Sequence, residues 1–247
     1  MNIRQFLDST YLKTAAQAGV SDEENTIVVK DFIREAIDEN FKLIMIRPEH
    51  VTLAKQMINE SASTVLVGTV IDFPEGKGGL QRKIAEAEEA IANGADELDF
   101  VCNYEAFISD DLETVIGEIL MCTELGLSHL KVVKWIIEVA ALSEKQITQL
   151  SSLIKQLILT NFQQSAIESV FVKSSTGFFK TSDGLPNGAT IESIVIMLEN
   201  ASPLPVKAAG GVRSYEEAVQ MINIGVKRIG TSAAKAIANG EKAQNQY

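Results

Sequence analysis

Short apolar runs alternate along the chain with longer stretches of helical period. Eight runs read as strands, at residues 5–7, 42–46, 64–70, 97–101, 131–137, 169–173, 205–208 and 228–230. Several are apolar almost without interruption, the pattern of parallel strands covered on both faces. Between them, Ile84, Ala87 and Ile91 fall on one helical face, and Gly94 follows where a helix end favours a left-handed residue. Leu112, Val115, Ile116 and Ile119 repeat the spacing, as do Ile191, Ile194, Val195 and Leu198. Ser143 with Gln146, and Ser214 with Glu217, have capping-box spacing ahead of apolar helices. Eight strands alternating with helices, and no Pro/Gly/Ser-rich linker, predict one domain over residues 1–247, with a short polar tail from about 241. The predicted class is α/β, a single (β/α)8 TIM barrel. A doubly wound open sheet is the alternative, but no Gly-x-Gly-x-x-Gly follows the first strand to signal a dinucleotide.

Composition narrows the function classes. A chain of 247 residues that is 46% apolar is not a disordered one. With 22 basic against 33 acidic residues, its net charge of −11 argues against a nucleic-acid partner, which needs a basic face. At this length folding buries roughly 70–75% of the extended surface, so no disulfide staple is required. Cys102 and Cys122, both in apolar surroundings, read as buried free thiols of a reducing compartment. No apolar signal segment opens the chain and no run of 18 apolar residues occurs, so the expectation is a cytoplasmic protein with no membrane partner. The oligomeric state stays open, a homodimer being one option.

In a barrel the chemistry stands at the C-terminal ends of the strands, so polar residues ending apolar runs carry the interest. Lys173 ends Val-Phe-Val-Lys, and Lys207 stands in the next run, 34 positions later and about one β/α unit on. Neighbouring strands lie about 4.8 Å apart, so the two ammonium groups can approach closely. Like charge and burial both lower a lysine pKa, and a neutral amine is what attack on a carbonyl requires. The pair therefore favours Schiff-base chemistry over a structural role. Asp99 alternates with Leu98 and Phe100, which turns it to the opposite face, where a lysine must pair with it. There it serves as an ion-pair partner or a proton carrier. Lys134, also in an apolar run, is expected to pair with a strand carboxylate such as Asp99 behind the reacting groups.

An anion site completes the set. Gly210 and Gly211 follow the seventh run, and Ser232 opens a small-residue helix start after the eighth. Glycines let backbone N–H groups approach an oxyanion, and barrels often bind phosphate at these two loops. Thr176 and Gly177 can add donors, and Asp8 with Thr10 can line the same mouth. His50 and His129 stand apart and no metal-ligand spacing occurs, so no metal and no organic cofactor is expected.

With these residues in hand, the chain resembles the deoxyribose-phosphate aldolases, a class I aldolase family. The matching segments lie at 8–12, 68–76, 94–99, 134–138, 172–177, 206–213 and 228–232 and span nearly the whole chain in order. Lys-Ser-Ser-Thr-Gly from Lys173 and Lys-Ala-Ala-Gly-Gly-Val-Arg from Lys207 carry most of the weight. The resemblance implies reversible cleavage of 2-deoxy-D-ribose 5-phosphate to D-glyceraldehyde 3-phosphate and acetaldehyde. It implies Lys173 as the Schiff-base lysine, Lys207 as the lysine that tunes it, and Asp99 as proton donor and acceptor. Asp8 and Thr10 then lie near the sugar, with Gly177, Gly210, Gly211 and Ser232 at the phosphate. Met45, Phe178, Val139 and Ala233 depart from the family pattern and bear on phosphate affinity and aldehyde tolerance. The rival readings are another lysine-dependent sugar-phosphate aldolase or transaldolase-like barrel, and a sugar-phosphate-binding barrel without turnover. Tyr247, at the end of the tail, is either a frayed terminus or a phenol folded over the mouth.

Overall fold

The computed structural model describes residues 1–182 and 184–242. Tyr247 and most of the polar tail lie outside the described residues. Eight strands form a closed barrel: β1 (Leu7–Tyr11), β2 (Leu43–Ile46), β3 (Leu66–Ile71), β4 (Glu97–Val101), β5 (Val132–Ile136), β6 (Val170–Lys173), β7 (Val206–Ala209) and β8 (Arg228–Thr231). All neighbours are parallel, and β1 closes on β8 through Leu7 opposite Ile229 and Asp8 opposite Gly230. Helices interleave with the strands, and this is the (β/α)8 arrangement that the alternation of periods predicts.

Seven strands fall within two residues of the predicted runs. The first does not. Residues Ile3–Phe6 form a 3-10 turn, and the strand begins where the predicted run ends, at Leu7. The reason is its polar lining: Asp8 and Thr10 turn inward, so this stretch lacks the apolar run that marks the other strands. The predicted capping boxes form at Ser143 with Gln146 and at Ser214 with Glu217. Each satisfies two otherwise orphaned N–H groups at a helix start. Gly94, with φ 100°, ends the helix Leu80–Ala92 as its position suggests.

Strand residues alternate between two environments. Leu98, Phe100, Val133, Trp135, Val172, Val206, Ala208 and Ile229 face the helices and join one large apolar cluster with them. Trp135 stacks on Phe100 at 5.2 Å, and its indole N–H donates to the Thr123 hydroxyl at 3.0 Å. Cys102 and Cys122 are buried free thiols, and burial pushes both up to about 12. The intervening strand positions point to the barrel axis, and there the chemistry changes.

Candidate active site

Period-two alternation puts Glu97 and Asp99 of β4, Lys134 of β5, Lys173 of β6, Lys207 of β7 and Arg228 of β8 inside the barrel. The register sets Asp99 beside Lys134, Lys173 beside Lys207, and Lys207 beside Arg228. Asp99 is the hub. Its Oδ2 accepts from Lys173 Nζ and from Lys207 Nζ, each at 2.9 Å, and its Oδ1 accepts from Lys134 Nζ at 2.5 Å. Lys207 also pairs with Asp8 at 2.6 Å, and Lys134 with Glu97 at 2.6 Å. Arg228 spans the floor, reaching Asp8 at 2.5 Å and both oxygens of Glu97 at 3.1 Å.

Charge counting identifies the odd member. The network holds four cations (Lys134, Lys173, Lys207 and Arg228) against three carboxylates (Asp8, Glu97 and Asp99). An uncompensated buried charge is strongly unfavourable, so one cation is under pressure to lose its proton. That member is Lys173, which has Asp99 as its one carboxylate, while each of the others touches two. Burial is the main force lowering Lys173, opposed by Asp99 and reinforced by Lys207 and Lys134, and its pKa falls to about 8. Burial alone would raise Asp99, but Lys134, Lys173 and Lys207 hold it well below the usual carboxylate range. The arrangement can thus keep a carboxylate ionised beside an amine that sheds its proton near neutral pH.

Lys173 opens onto a pocket at the C-terminal ends of the strands. The pocket is lined by Thr10 of β1, by Thr176, Gly177 and Phe178 after β6, by Gly210, Gly211 and Arg213 after β7, and by Ser232 after β8. Among the described residues its lining contains two cations, Lys173 and Arg213, and no carboxylate. The mouth is therefore a positive exception on an acidic chain. Gly177, Gly210 and Gly211 all have positive φ, between 78° and 87°. A Cβ at Gly210 would come within 2.7 Å of Ser175 Oγ and 2.9 Å of Gly188 Cα, so only glycine allows the loops to approach this closely. Ser174 and Ser175 stitch the β6 loop to Ala209 of β7 at 2.7–2.9 Å. The helix after Ser232, Ala234–Ala238, is a bare turn, so this loop offers N–H groups more than an extended helix dipole.

The residues read from the sequence thus fall into two groups. Lys173, Lys207, Asp99, Lys134 and Asp8 form the buried network; Asp8 lies in it fully buried, and Thr10, two residues on, reaches the mouth lining. Thr10, Thr176, Gly177, Gly210, Gly211 and Ser232 gather with Lys173 at the mouth. The Thr176 hydroxyl is already committed, donating to Glu138 and accepting from the Phe178 N–H. Among the departures from the family pattern, Met45 packs with Leu12, Leu43 and Val70 inside the barrel, and Phe178 meets Phe73 edge to face at 5.1 Å. Ala233 donates its N–H to Thr231 Oγ1.

Five residues were not anticipated. Glu97 and Arg228 open strands, where charge reads as a strand boundary. The alternation that turns Asp99 inward applies equally to Glu97, two residues earlier, and could have found it. Arg213 and Asn187 are loop residues of the mouth, and Asn187 fastens the loop by donating to the Gly177 carbonyl at 3.1 Å. Glu138 lies just past β5, buried, with a left-handed φ of 54°. Among the described residues no group of three or more His, Cys, Asp or Glu side chains is placed to hold a metal ion. No described helix is long and apolar enough to cross a membrane.

Comparison with known proteins agrees with this geometry. The model of the DeoC/LacD family aldolases matches residues 11–240. A deoxyribose-phosphate aldolase of Staphylococcus haemolyticus is 38% identical over 248 aligned positions, covering 100% of both chains. One of Thermococcus kodakarensis is 36% identical over 239, covering 96% of each. The tetrameric deoxyribose phosphate aldolase of Aeropyrum pernix superposes with a TM-score of 0.76 at 28% identity, over 96% of this chain and 89% of that one. The family match over residues 11–240, the full-length relatives and the shared barrel architecture coincide, and the chain belongs to the DeoC/LacD family of aldolases.

Proposed function

We propose that this chain is a class I aldolase that reversibly cleaves 2-deoxy-D-ribose 5-phosphate to D-glyceraldehyde 3-phosphate and acetaldehyde through a Schiff base on Lys173. The observation that carries the reading is the position of Lys173. Its Nζ is 2.9 Å from the carboxylate it shares with Lys207, on the wall of a pocket rimmed by glycines and, among the described residues, lined by no carboxylate. The substrate class comes from the relatives' shared activity, and the pocket suits an aldehyde carrying a phosphate.

The chemistry follows from the parts. Neutral Lys173 adds to C1 of the open-chain sugar, and loss of water gives an iminium ion. Acetaldehyde retains C1 and C2, so the bond that breaks is C2–C3, once the C3 hydroxyl gives up its proton; cleavage at C3–C4 would leave a three-carbon fragment instead. The electron pair of C2–C3 flows into the iminium, leaving an enamine as D-glyceraldehyde 3-phosphate departs. Protonation at C2 and hydrolysis release acetaldehyde and free amine. Asp99, directly or through Lys207, is placed to carry the protons. The Gly177, Gly210, Gly211 and Ser232 loops, with Arg213, would hold the phosphate so that C1 meets Lys173, a positional effect that lowers barriers strongly.

Borohydride reduction in the presence of substrate, followed by peptide mass spectrometry, should label Lys173, and acetaldehyde should appear in the unreduced reaction. Labelling at another lysine would overturn the assignment. Trapping without acetaldehyde would point to an aldolase with a different donor.

A further inference from the structure

Of the buried ionisable groups that take no part in the mechanism, Glu138 touches the loop that follows Lys173. Glu138 follows β5 and is 1% exposed. Its Oε2 accepts from the Thr176 N–H at 3.1 Å and also from the Thr176 hydroxyl. That hydroxyl in turn accepts from the Phe178 N–H at 3.0 Å. One carboxylate oxygen thereby fixes Thr176 at both its backbone and its side chain, and through it reaches the far side of Gly177. Glu138 Oε1 is buried without a hydrogen-bond partner among the described residues. A left-handed glutamate is also strained, because its Cβ crowds the backbone at φ 54°. A buried carboxylate, half satisfied and held in a disfavoured conformation, is an expensive way to fasten a loop. A neutral side chain could pack there at less cost.

The value of the arrangement lies in what Thr176 precedes. Gly177 has φ 79° and takes its direction from the residue before it. With Thr176 pinned on one side and Phe178 on the other, the peptide plane that carries the Gly177 N–H has little freedom. We propose that Glu138 is a positioning residue: acting through Thr176, it aims the Gly177 N–H at the substrate phosphate and so governs recognition of phosphorylated substrate rather than the chemical step. This rests on the aldolase reading and on a phosphate at the Gly177 loop. It assigns Glu138 no proton transfer and no contact with substrate. Burial pushes Glu138 up to about 7, so above that pH it is a charged acceptor, whose bonds are roughly twice as strong as those of a neutral one; the comparison below is therefore made above pH 8.

Two variants separate shape from charge. Glu138→Gln keeps an accepting oxygen for Thr176 and removes the charge. Glu138→Gly removes the acceptor altogether and suits a backbone at φ 54°, so it relieves strain and should fold. Both are compared with the unaltered protein on 2-deoxyribose 5-phosphate and on unphosphorylated 2-deoxyribose. The expected result is a KM for the phosphorylated sugar raised about tenfold in Glu138→Gln and more in Glu138→Gly, with kcat within about threefold. On unphosphorylated 2-deoxyribose kcat/KM should change less than about threefold, because no phosphate is there to be misaligned. In parallel, inorganic phosphate is titrated by calorimetry into all three proteins; binding should weaken in the same order. Equal losses on both sugars, or a fall in kcat at constant KM, would overturn the proposal, as would unchanged phosphate affinity. Borohydride trapping is run on the unaltered protein alongside. No label on Lys173 would remove the aldolase reading itself, while the phosphate titration would still decide the role of Glu138.

Discussion

On one side of the barrel axis, Leu43, Met45 and Val70 from β2 and β3 pack with Leu12 into a small apolar cluster. On the other, β5 to β8 bring three lysines and an arginine against three carboxylates from β1 and β4. Both halves are equally buried, so burial does not distinguish them; what differs is what burial does. In the apolar half it removes surface from water and stabilises by about 25 cal/mol per Å². In the ionic half it makes every charge dependent on its neighbours, so that changing one residue moves the protonation of the others. The apolar half supplies shape, and the ionic half supplies an amine that loses its proton near pH 8.

The largest effect is expected from Lys173→Met, which removes the nucleophile. Retro-aldol turnover should fall by roughly 10⁴-fold or more, and borohydride should no longer label the protein. Stability offers a second readout with a definite sign. The Lys173 pKa is lowered from 10.5 to about 8 in the folded chain, so between those values the unfolded chain binds the extra proton. The unaltered protein should therefore gain stability as pH rises from about 8 towards 10.5, and Lys173→Met should lack that gain. Urea unfolding of both proteins at either end of the window measures it. Equal slopes would mean that Lys173 keeps its proton in the fold.

Asp99→Asn should cost about 10²–10⁴-fold in kcat, and breaking so many buried pairs at once should destabilise by about 3–5 kcal/mol. It should also move the pH profile of kcat/KM. Asp99 favours the charged form of Lys173, so its loss lowers the Lys173 pKa and shifts the rising limb to lower pH. Lys207→Met should do the reverse. Removing a like charge lets the Lys173 pKa rise, and each unit of rise costs about tenfold in neutral amine at pH 7. Limbs that moved the same way in both variants would break the account of the ionic half.

These two halves were unequally legible in the sequence. Uninterrupted runs such as Leu43–Ile46 announce a strand; a lysine closing Val170–Lys173 can either snorkel to solvent or turn inward, and its repeat at Lys207 one unit later favours the inward reading. The bounds of β1 are obscured for the opposite reason: the alternate polar residues Asp8 and Thr10 interrupt the apolar run, so the pattern predicts a strand at 5–7 where the structure has Leu7–Tyr11. Glu97 and Arg228 stayed hidden because a charge at a strand start is ordinary, and only closure of β8 onto β1 makes Arg228 the neighbour of Asp8. Glu138 could not be found at all from spacing. Its role depends on a loop 38 positions later folding against it, and that is tertiary information.

The smallest expected effect is the one that tests whether the halves are separable. Met45 is buried among Leu12, Leu43 and Val70, and its terminal methyl lies 2.6 Å from where a Cβ on Gly68 would sit. Met45→Leu conserves volume and polarity, so it should cost less than about 1.5 kcal/mol in urea unfolding. Because Met45 brings no charge near the network, the midpoint of the kcat/KM limb should stay within about 0.2 pH units of that of the unaltered protein, the shift of a negligible interaction. A midpoint displaced as far as in Lys207→Met would show that packing in β2 sets the spacing of Lys173, Lys207 and Asp99. The apolar half would then be a support that tunes the amine from across the barrel, and the division of labour would have to be redrawn around distance rather than charge.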